Sequence, residues 1–311
     1  MKYRYIFGPV PSRRLGVSLG IDLVPYKICS LNCLYCECGI TTNLTLVRKE
    51  YVPQNEVIKE LDHFLSNNPA PEYITFSGSG EPTLHSGIAG ILSRIKTIWP
   101  DIPVALLTNG TLFTIPGVRK EVLSADLIVP SLDAASQSTF LEIDRPVPGL
   151  DADSHIQGLV DLRKEFAGKI WLEVFILPGV NDDESELELL KEAILKIHPD
   201  KVQLNSLDRP GAVPGLCHAS AHQLYAIKEG WRLSNVEITV SAAQRKTLAS
   251  YTEDVSSHIF ETIYRRPSTA DELAQMLGTH VNEVNKYLGV LEEDGKIKPV
   301  LQEGKQFYKK T

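Results

Sequence analysis

The sequence predicts an α/β protein, with a parallel sheet in one large domain and a small helical unit behind it. Two observations predict the large domain. Six short apolar segments alternate with amphipathic ones between about residues 17 and 205. Those segments are apolar on both faces, as parallel strands covered by helices must be. A third observation predicts the small unit: beyond about residue 252 the pattern turns to three helical periods and a hairpin.

The strand candidates are "LGVSLGI" (15–21), "YITFS" (73–77), "VALLT" (104–108), "LIVPS" (127–131), "WLEVFIL" (171–177) and "KVQLN" (201–205). Amphipathic periods at 55–66, 86–98, 117–124, 154–166 and 184–197 predict the intervening helices. The last, "DESELELLKEAILKI", places acids early and lysines late, which complements the helix dipole. Spacing alone leaves a doubly wound sheet and a partial barrel both open. Residues 206–251 read as an extension or linker with one helix ("AHQLYAIKEGWRL") and one strand ("VEITV").

In the unit 252–311, "SSHIFETIYRRP" predicts a helix. "STADELAQMLG" predicts a second, opened by a Ser268–Asp271 capping pattern and closed at Gly278. "THVNEVNKYLGVLEEDG" predicts a third, and "KIKPVLQEGKQFYKK" a hairpin turning at Glu303-Gly304. Three helices and a hairpin describe a winged helix.

The composition is that of a soluble globular protein, and no segment reaches the roughly 18 apolar residues of a membrane span. "MKYRYIFGPVPSRRLG" has no apolar run of signal-peptide length. The cytoplasm is the expected compartment, where thiols stay reduced and bind metals or react. A net charge of −7 argues against an electrostatic nucleic-acid mantle.

Four of the five cysteines crowd into "CSLNCLYCECG", Cys29 to Gly39. Disulfides inside one tight loop would be strained. Cys29, Cys33 and Cys36 are spaced C-x3-C-x2-C, and soft sulfur ligands favour an iron–sulfur cluster or zinc. The nearest histidines in sequence are His63 and His85, which weakens zinc without removing it.

The loop after the first strand resembles the hallmark of the radical S-adenosylmethionine (SAM) superfamily. The resemblance implies that Cys29, Cys33 and Cys36 ligate a [4Fe–4S] cluster whose fourth iron is chelated by SAM. Tyr35 occupies that loop's aromatic position. "SGSGEPTL" matches the family's glycine-rich turn at Ser79, Gly80, Glu81 and Pro82, where Glu81 would accept from the SAM ammonium. Asn109 in "TNG", Ser131 and Asp133 in "SLD", and Leu177 beside "ILPGVND" match further SAM-contacting positions. The resemblance spans about residues 15–205 and implies a partial (β/α)6 barrel. "FGPVPSRRLG", "GIDLVPYKICSLNCLYCECG" and "LNSLDRP" are similar to prokaryotic iron–sulfur oxidoreductases distantly related to the wyosine-forming tRNA enzyme, although no second cysteine triad lies upstream.

The family's chemistry would be reductive cleavage of SAM to a 5′-deoxyadenosyl radical that abstracts hydrogen from a substrate. Modification of RNA or a polypeptide is the first substrate class to test, with ferredoxin or flavodoxin as reductant. The alternatives are a glycyl-radical activase, a redox sensor with a DNA-binding winged helix, and a plain zinc protein. Cys38 reads as a spectator and Cys217 as a buried lone thiol. Asn205, Asp208 and Arg209 are substrate-side candidates, against a local Asp–Arg surface pair. Arg13 and Arg14 read as a solvated basic pair, against a grip on a phosphate or carboxylate. Residues 253–311 hold eight bases against ten acids, with only Lys286 as a base on the third helix, so specific DNA binding is not expected.

Overall fold

Eight strands form one sheet in the computed structural model, which describes residues 3–12, 14–239, 255–278 and 281–311. β1 (Ile6–Ser12) turns back antiparallel onto β2 (Gly16–Ile21). Two short strands follow, β3 (Ile28–Cys29) and β4 (Asn43–Leu44), paired with each other. Helices and strands then alternate: α1 (Gln54–Asn67), β5 (Tyr73–Phe76), α2 (Ile88–Ile98), β6 (Val104–Thr108), α3 (Pro116–Val122), β7 (Leu127–Pro130), α4 (Gln137–Ile143) and α5 (Ala152–Glu165). β8 (Lys169–Ile176), α6 (Glu184–Ile197), β9 (Lys201–Ser206), α7 (Ala221–Trp231) and β10 (Val236–Ile238) complete the large domain. The order across the sheet is β1-β2-β5-β6-β7-β8-β9-β10, and every pairing except β1–β2 is parallel.

The sheet is rolled. β8 lies four places from β2, about 19 Å away in a flat sheet with strands ~4.8 Å apart. Yet Arg14, in the β1–β2 turn, donates Nη1 to Glu173 Oε2 of β8 at 3.0 Å. The result is a partial barrel. Its outer face, including Ile74, Phe76, Leu106, Leu172 and Leu204, packs under the helices in the main core. Inside, Leu15, Ala105, Leu127 and Val129 form a separate apolar plug. Burial on both sides is why these strands read as apolar throughout.

β1 was not expected from the sequence. "IFGPVPS" carries two prolines, which a central strand does not accept, but β1 is the sheet's outer edge, where a missing N–H costs nothing. α4 was missed as well; its seven residues follow the N-cap Ser136, whose side chain accepts from Thr139 N.

After residue 254 come α8 (Val255–Arg265), β11 (Ser268–Thr269), α9 (Ala270–Leu277), α10 (Val281–Glu293) and the hairpin β12 (Ile297–Gln302) and β13 (Lys305–Lys310). The three strands form a sheet ordered β11-β13-β12. The hairpin turns at Glu303 (φ 50) and Gly304 (φ 76), the left-handed pair that a two-residue turn needs. The Ser268–Asp271 cap is corrected by one residue. Ser268 pairs with Tyr308 in the sheet, and Thr269 forms the capping box with Glu272. Gly278 (φ 63) ends α9. No helix among the described residues is long and apolar enough to cross a membrane.

Candidate functional site

The cysteine loop lies over the carboxyl ends of the strands and is pinned through its own backbone. Thr45 N donates to Cys29 O at 2.9 Å, Asn32 N to Asp144 O at 2.9 Å and Leu34 N to Ile143 O at 2.9 Å. Leu31 and Leu34 anchor it from below in a core shared with Phe140, Ile143 and Phe175. The amides and leucines are thus spent on holding the loop, while Cys29, Cys33 and Cys36 stay half-buried at its surface.

The three thiols differ in electrostatics. Burial, and then Glu81, push Cys29 up to about 12. Burial, then Asp144, lift Cys33 well above the ordinary thiol range. The neighbouring Cys38 thiol and then the Lys27 ammonium lower Cys36 to about 5 against its burial. Lys27 Nζ stands 2.8 Å from Cys36 Sγ. Three soft donors on one loop, one already biased to thiolate and backed by a buried cation, fit an iron–sulfur cluster. Among the described residues, no three His, Cys, Asp or Glu side chains converge on one point as ligands of a single ion do.

The glycine-rich turn meets this loop directly. Glu81 N donates to Ile28 O at 3.0 Å. A Cβ on Gly80 would lie 2.0 Å from the same oxygen, so the glycine is required by the strap that carries Cys29. Ser79 donates its N (3.2 Å) and Oγ (3.0 Å) to Asp22 Oδ2, which also accepts from Arg265 Nη1 at 2.6 Å. Pro82 opens a short 3₁₀ turn that Glu81 caps.

Glu81 is 2 % exposed and its carboxylate is fully engaged. Oε1 accepts from Thr83 N, Thr83 Oγ1 and Thr108 Oγ1 at 3.0, 2.5 and 2.7 Å, and Oε2 from Asn109 N at 2.8 Å. An incoming ammonium would join or displace these donors. Asn109 Nδ2 reaches Ser30 Oγ at 2.9 Å and Cys29 Sγ at 3.4 Å, so the "TNG" strand end touches the thiol loop.

Tyr35 and Asp133 come together. The Tyr35 ring stacks on Phe175 with centroids 3.8 Å apart, and its hydroxyl donates to Asp133 Oδ2. Asp133 Oδ1 accepts from Phe175 N at 2.8 Å. Ser131 bridges to Glu173 through backbone pairing. Leu177 is buried in the same core as Phe175. Its N donates to Asn181 Oδ1 at 2.8 Å, while Asn181 Nδ2 holds Asp133 O and Phe175 O at 2.8 and 2.7 Å. Asn181 therefore organises the "LPGVND" segment, although it reads in sequence as an ordinary turn residue.

Other expectations need correction. Arg14 is not a solvated cation; it is ion-paired with Glu173 inside the barrel, and Asn205 Nδ2 donates to the same carboxylate at 2.7 Å. Arg13 lies outside the described residues. Arg209 is 2 % exposed, so it forms no surface pair; its guanidinium joins Glu37 (3.4 Å) of the cysteine loop to Glu272 of α9. Cys217 is exposed rather than buried, and its neighbour His218 pairs with Glu303. Lys27, Asp22 and Asp144 were all missed, because a single charged residue near a loop carries no signal until the fold buries it.

A cavity of about 900 Å³ runs from the barrel interior out among β1, the end of α1 and α8. Ser18, Thr75, Leu107 and Glu173 line it from the sheet, Cys38 from the loop, and Arg265 from α8.

Asp144 supplies a pH test. Burial raises its carboxyl to about 7, with a hydrogen bond from Cys33 opposing. Its folded-state value is above the unfolded one, so the neutral acid favours the fold and that stability is lost as pH rises towards 7. Asp144→Asn is expected to melt progressively higher than the native apo protein as pH goes from 4 to 8. Parallel melting curves across that range would count against a buried, neutral Asp144.

The comparisons with known proteins agree with this arrangement. Residues 23–190 match the family model for the radical SAM superfamily. A UPF0026 protein of Helicobacter pylori (strain J99) is 32 % identical over 276 residues, 88 % of this chain and 87 % of that protein. A protein of Brachyspira hyodysenteriae named GTPase Obg is 36 % identical over 98 % of this chain, which spans only 45 % of that relative. Among solved structures, a radical SAM methyltransferase from Sphaerobacter thermophilus aligns with a TM-score of 0.55 at 16 % identity, over 73 % of this chain and 67 % of that one. That likeness is one of fold. With the cysteine loop, the rolled parallel sheet and a family match across more than half its length, the chain belongs to the radical SAM superfamily.

Proposed function

We propose that the protein binds a [4Fe–4S] cluster through Cys29, Cys33 and Cys36 and acts on a substrate held in the barrel interior. One observation carries this reading. The thiol loop is joined to the strand-end polar groups by Glu81 N–Ile28 O and Asn109 Nδ2–Cys29 Sγ, and Cys38 and Gly78, of the loop and the turn's approach, line the cavity. When bound, the cluster and SAM would supply the 5′-deoxyadenosyl radical. The protein's part is to orient the substrate and exclude water. Ser79, Gly80, Glu81, Pro82, Asn109, Ser131, Asp133, Leu177 and Tyr35 are the proposed surroundings of SAM.

The cavity limits what can react. Its size, about 900 Å³, suits a small molecule or a single unit of a polymer. α8 walls it, and the C-terminal unit is tied to the barrel through Arg265–Asp22 and Arg209–Glu272. We read this unit as a winged helix that covers the site. An RNA or polypeptide substrate must then insert one residue past α8. The chain carries no G-x4-G-K-S/T phosphate loop, so the GTPase name of the longer relative is not transferred. A one-electron donor such as ferredoxin or flavodoxin completes the scheme.

The test is anaerobic reconstitution with iron and sulfide, followed by dithionite and SAM. The expected result is about four irons per chain, a SAM-dependent change in the reduced cluster's electron paramagnetic resonance (EPR) spectrum, and 5′-deoxyadenosine by chromatography. A cluster whose spectrum ignores SAM, with no nucleoside released, sinks the proposal. Redox-dependent DNA binding in a gel shift would favour the sensor alternative instead.

A further inference from the structure

Lys27 is 3 % exposed, and its Nζ lies 2.8 Å from Cys36 Sγ and 2.8 Å from Gly39 O. A buried ammonium is costly unless an anion answers it. No carboxylate is hydrogen-bonded to this one among the described residues; its Nζ partners are the Cys36 sulfur and a backbone carbonyl. The backbone fixes its position. Lys27 N donates to Thr42 Oγ1 at 2.9 Å, and Lys27 O accepts from Thr42 N at 3.0 Å. The cation is therefore held against the thiol loop and away from water.

We propose that Lys27 is a positioning residue for electron transfer, its fixed charge stabilising the reduced form of the cluster on Cys29, Cys33 and Cys36 and so raising its reduction potential. The inference rests on the cluster reading above. Three thiolates leave such a cluster net negative, and one electron from an external reduced iron–sulfur protein or flavoprotein adds one more negative charge. No bond forms or breaks, and no proton moves. A cation touching a ligand sulfur in a buried site is weakly screened and favours the more negative state. Charge and hydrogen bonds at the sulfurs are among the main levers on cluster potential.

The experiment is an EPR-monitored redox titration of the reconstituted native protein and three variants. K27M removes charge and donor, K27Q keeps a donor without the charge, and K27R keeps the charge. K27M and K27Q are expected to be harder to reduce by at least about tenfold in equilibrium constant, a negative shift of about 59 mV for one electron. K27R is expected to stay within that range of the native value. The contrast between K27Q and K27R separates charge from hydrogen bonding and from mere packing. Native protein that assembles no four-iron cluster removes the cluster reading itself. Clusters assembled in all four proteins with one common midpoint overturn the role of Lys27 alone.

Discussion

Cys29→Ala, Cys33→Ala and Cys36→Ala are each expected to reduce 5′-deoxyadenosine formation to background, while Cys38→Ala should keep most of it. This is the largest effect expected of any single change. Each of the three thiols would hold a different iron, so two remaining ligands leave a cluster exposed and labile. Iron analysis should show the loss directly, independent of turnover. Cys38 stands apart in geometry: its Sγ donates to Arg265 O at 3.0 Å and lies 3.7 Å from Gly78 O, facing the C-terminal unit and the cavity. As a close neighbour it also lowers Cys36. Metal binding displaces the thiol protons in any case, so losing that neighbour should slow cluster loading without changing its end point. A Cys38→Ala protein with full iron and no product would overturn this assignment and make Cys38 part of the chemistry.

Much of this architecture is legible in the sequence. The six parallel strands and the five helices between them stand within about two residues of their expected bounds, because strands buried on both faces and amphipathic helices leave unmistakable periods. β1 escaped because its prolines signal against a strand, and only its edge position makes them harmless. The cysteine spacing and the "SGSGEP" turn were equally readable. Their partners were not. Asp22 meets Ser79 across 57 residues, and Arg209 meets Glu37 across 172. Lys27 is nine residues from Cys36 yet has no motif of its own. Such pairings depend on how the sheet rolls, which local periodicity does not encode. The strand-end motifs also proved to be partly scaffold. Glu81 and Asp133 spend their carboxylates on neighbouring amides and hydroxyls, so the site's rigidity and its polarity come from the same residues.

Gly80→Ala is the second large effect, and it follows from that dual use. The added methyl would sit 2.0 Å from Ile28 O, 2.7 Å from Val24 Cγ2 and 2.9 Å from Ile28 C. Two of these three atoms are backbone, so no rotamer change relieves the clash. The strap must move, and with it the Glu81 N–Ile28 O bond, Lys27 on one side and Cys29 on the other. Overpacking of this kind costs about 1–3 kcal/mol, occasionally more, and each kcal/mol is worth about 2–4 °C in a domain of this size. The apo protein should therefore melt several degrees low. A displaced Cys29 should also leave the reconstituted protein deficient in iron. Gly117→Ala is the matched control: no atom lies within 4 Å of its built Cβ, and its place in α3 favours alanine. It should melt at or slightly above the native temperature and load normally. If Gly80→Ala behaves like Gly117→Ala in both melting and iron content, the strap and the turn are not packed as described, and the coupling between the cysteine loop and the glycine-rich turn fails with them.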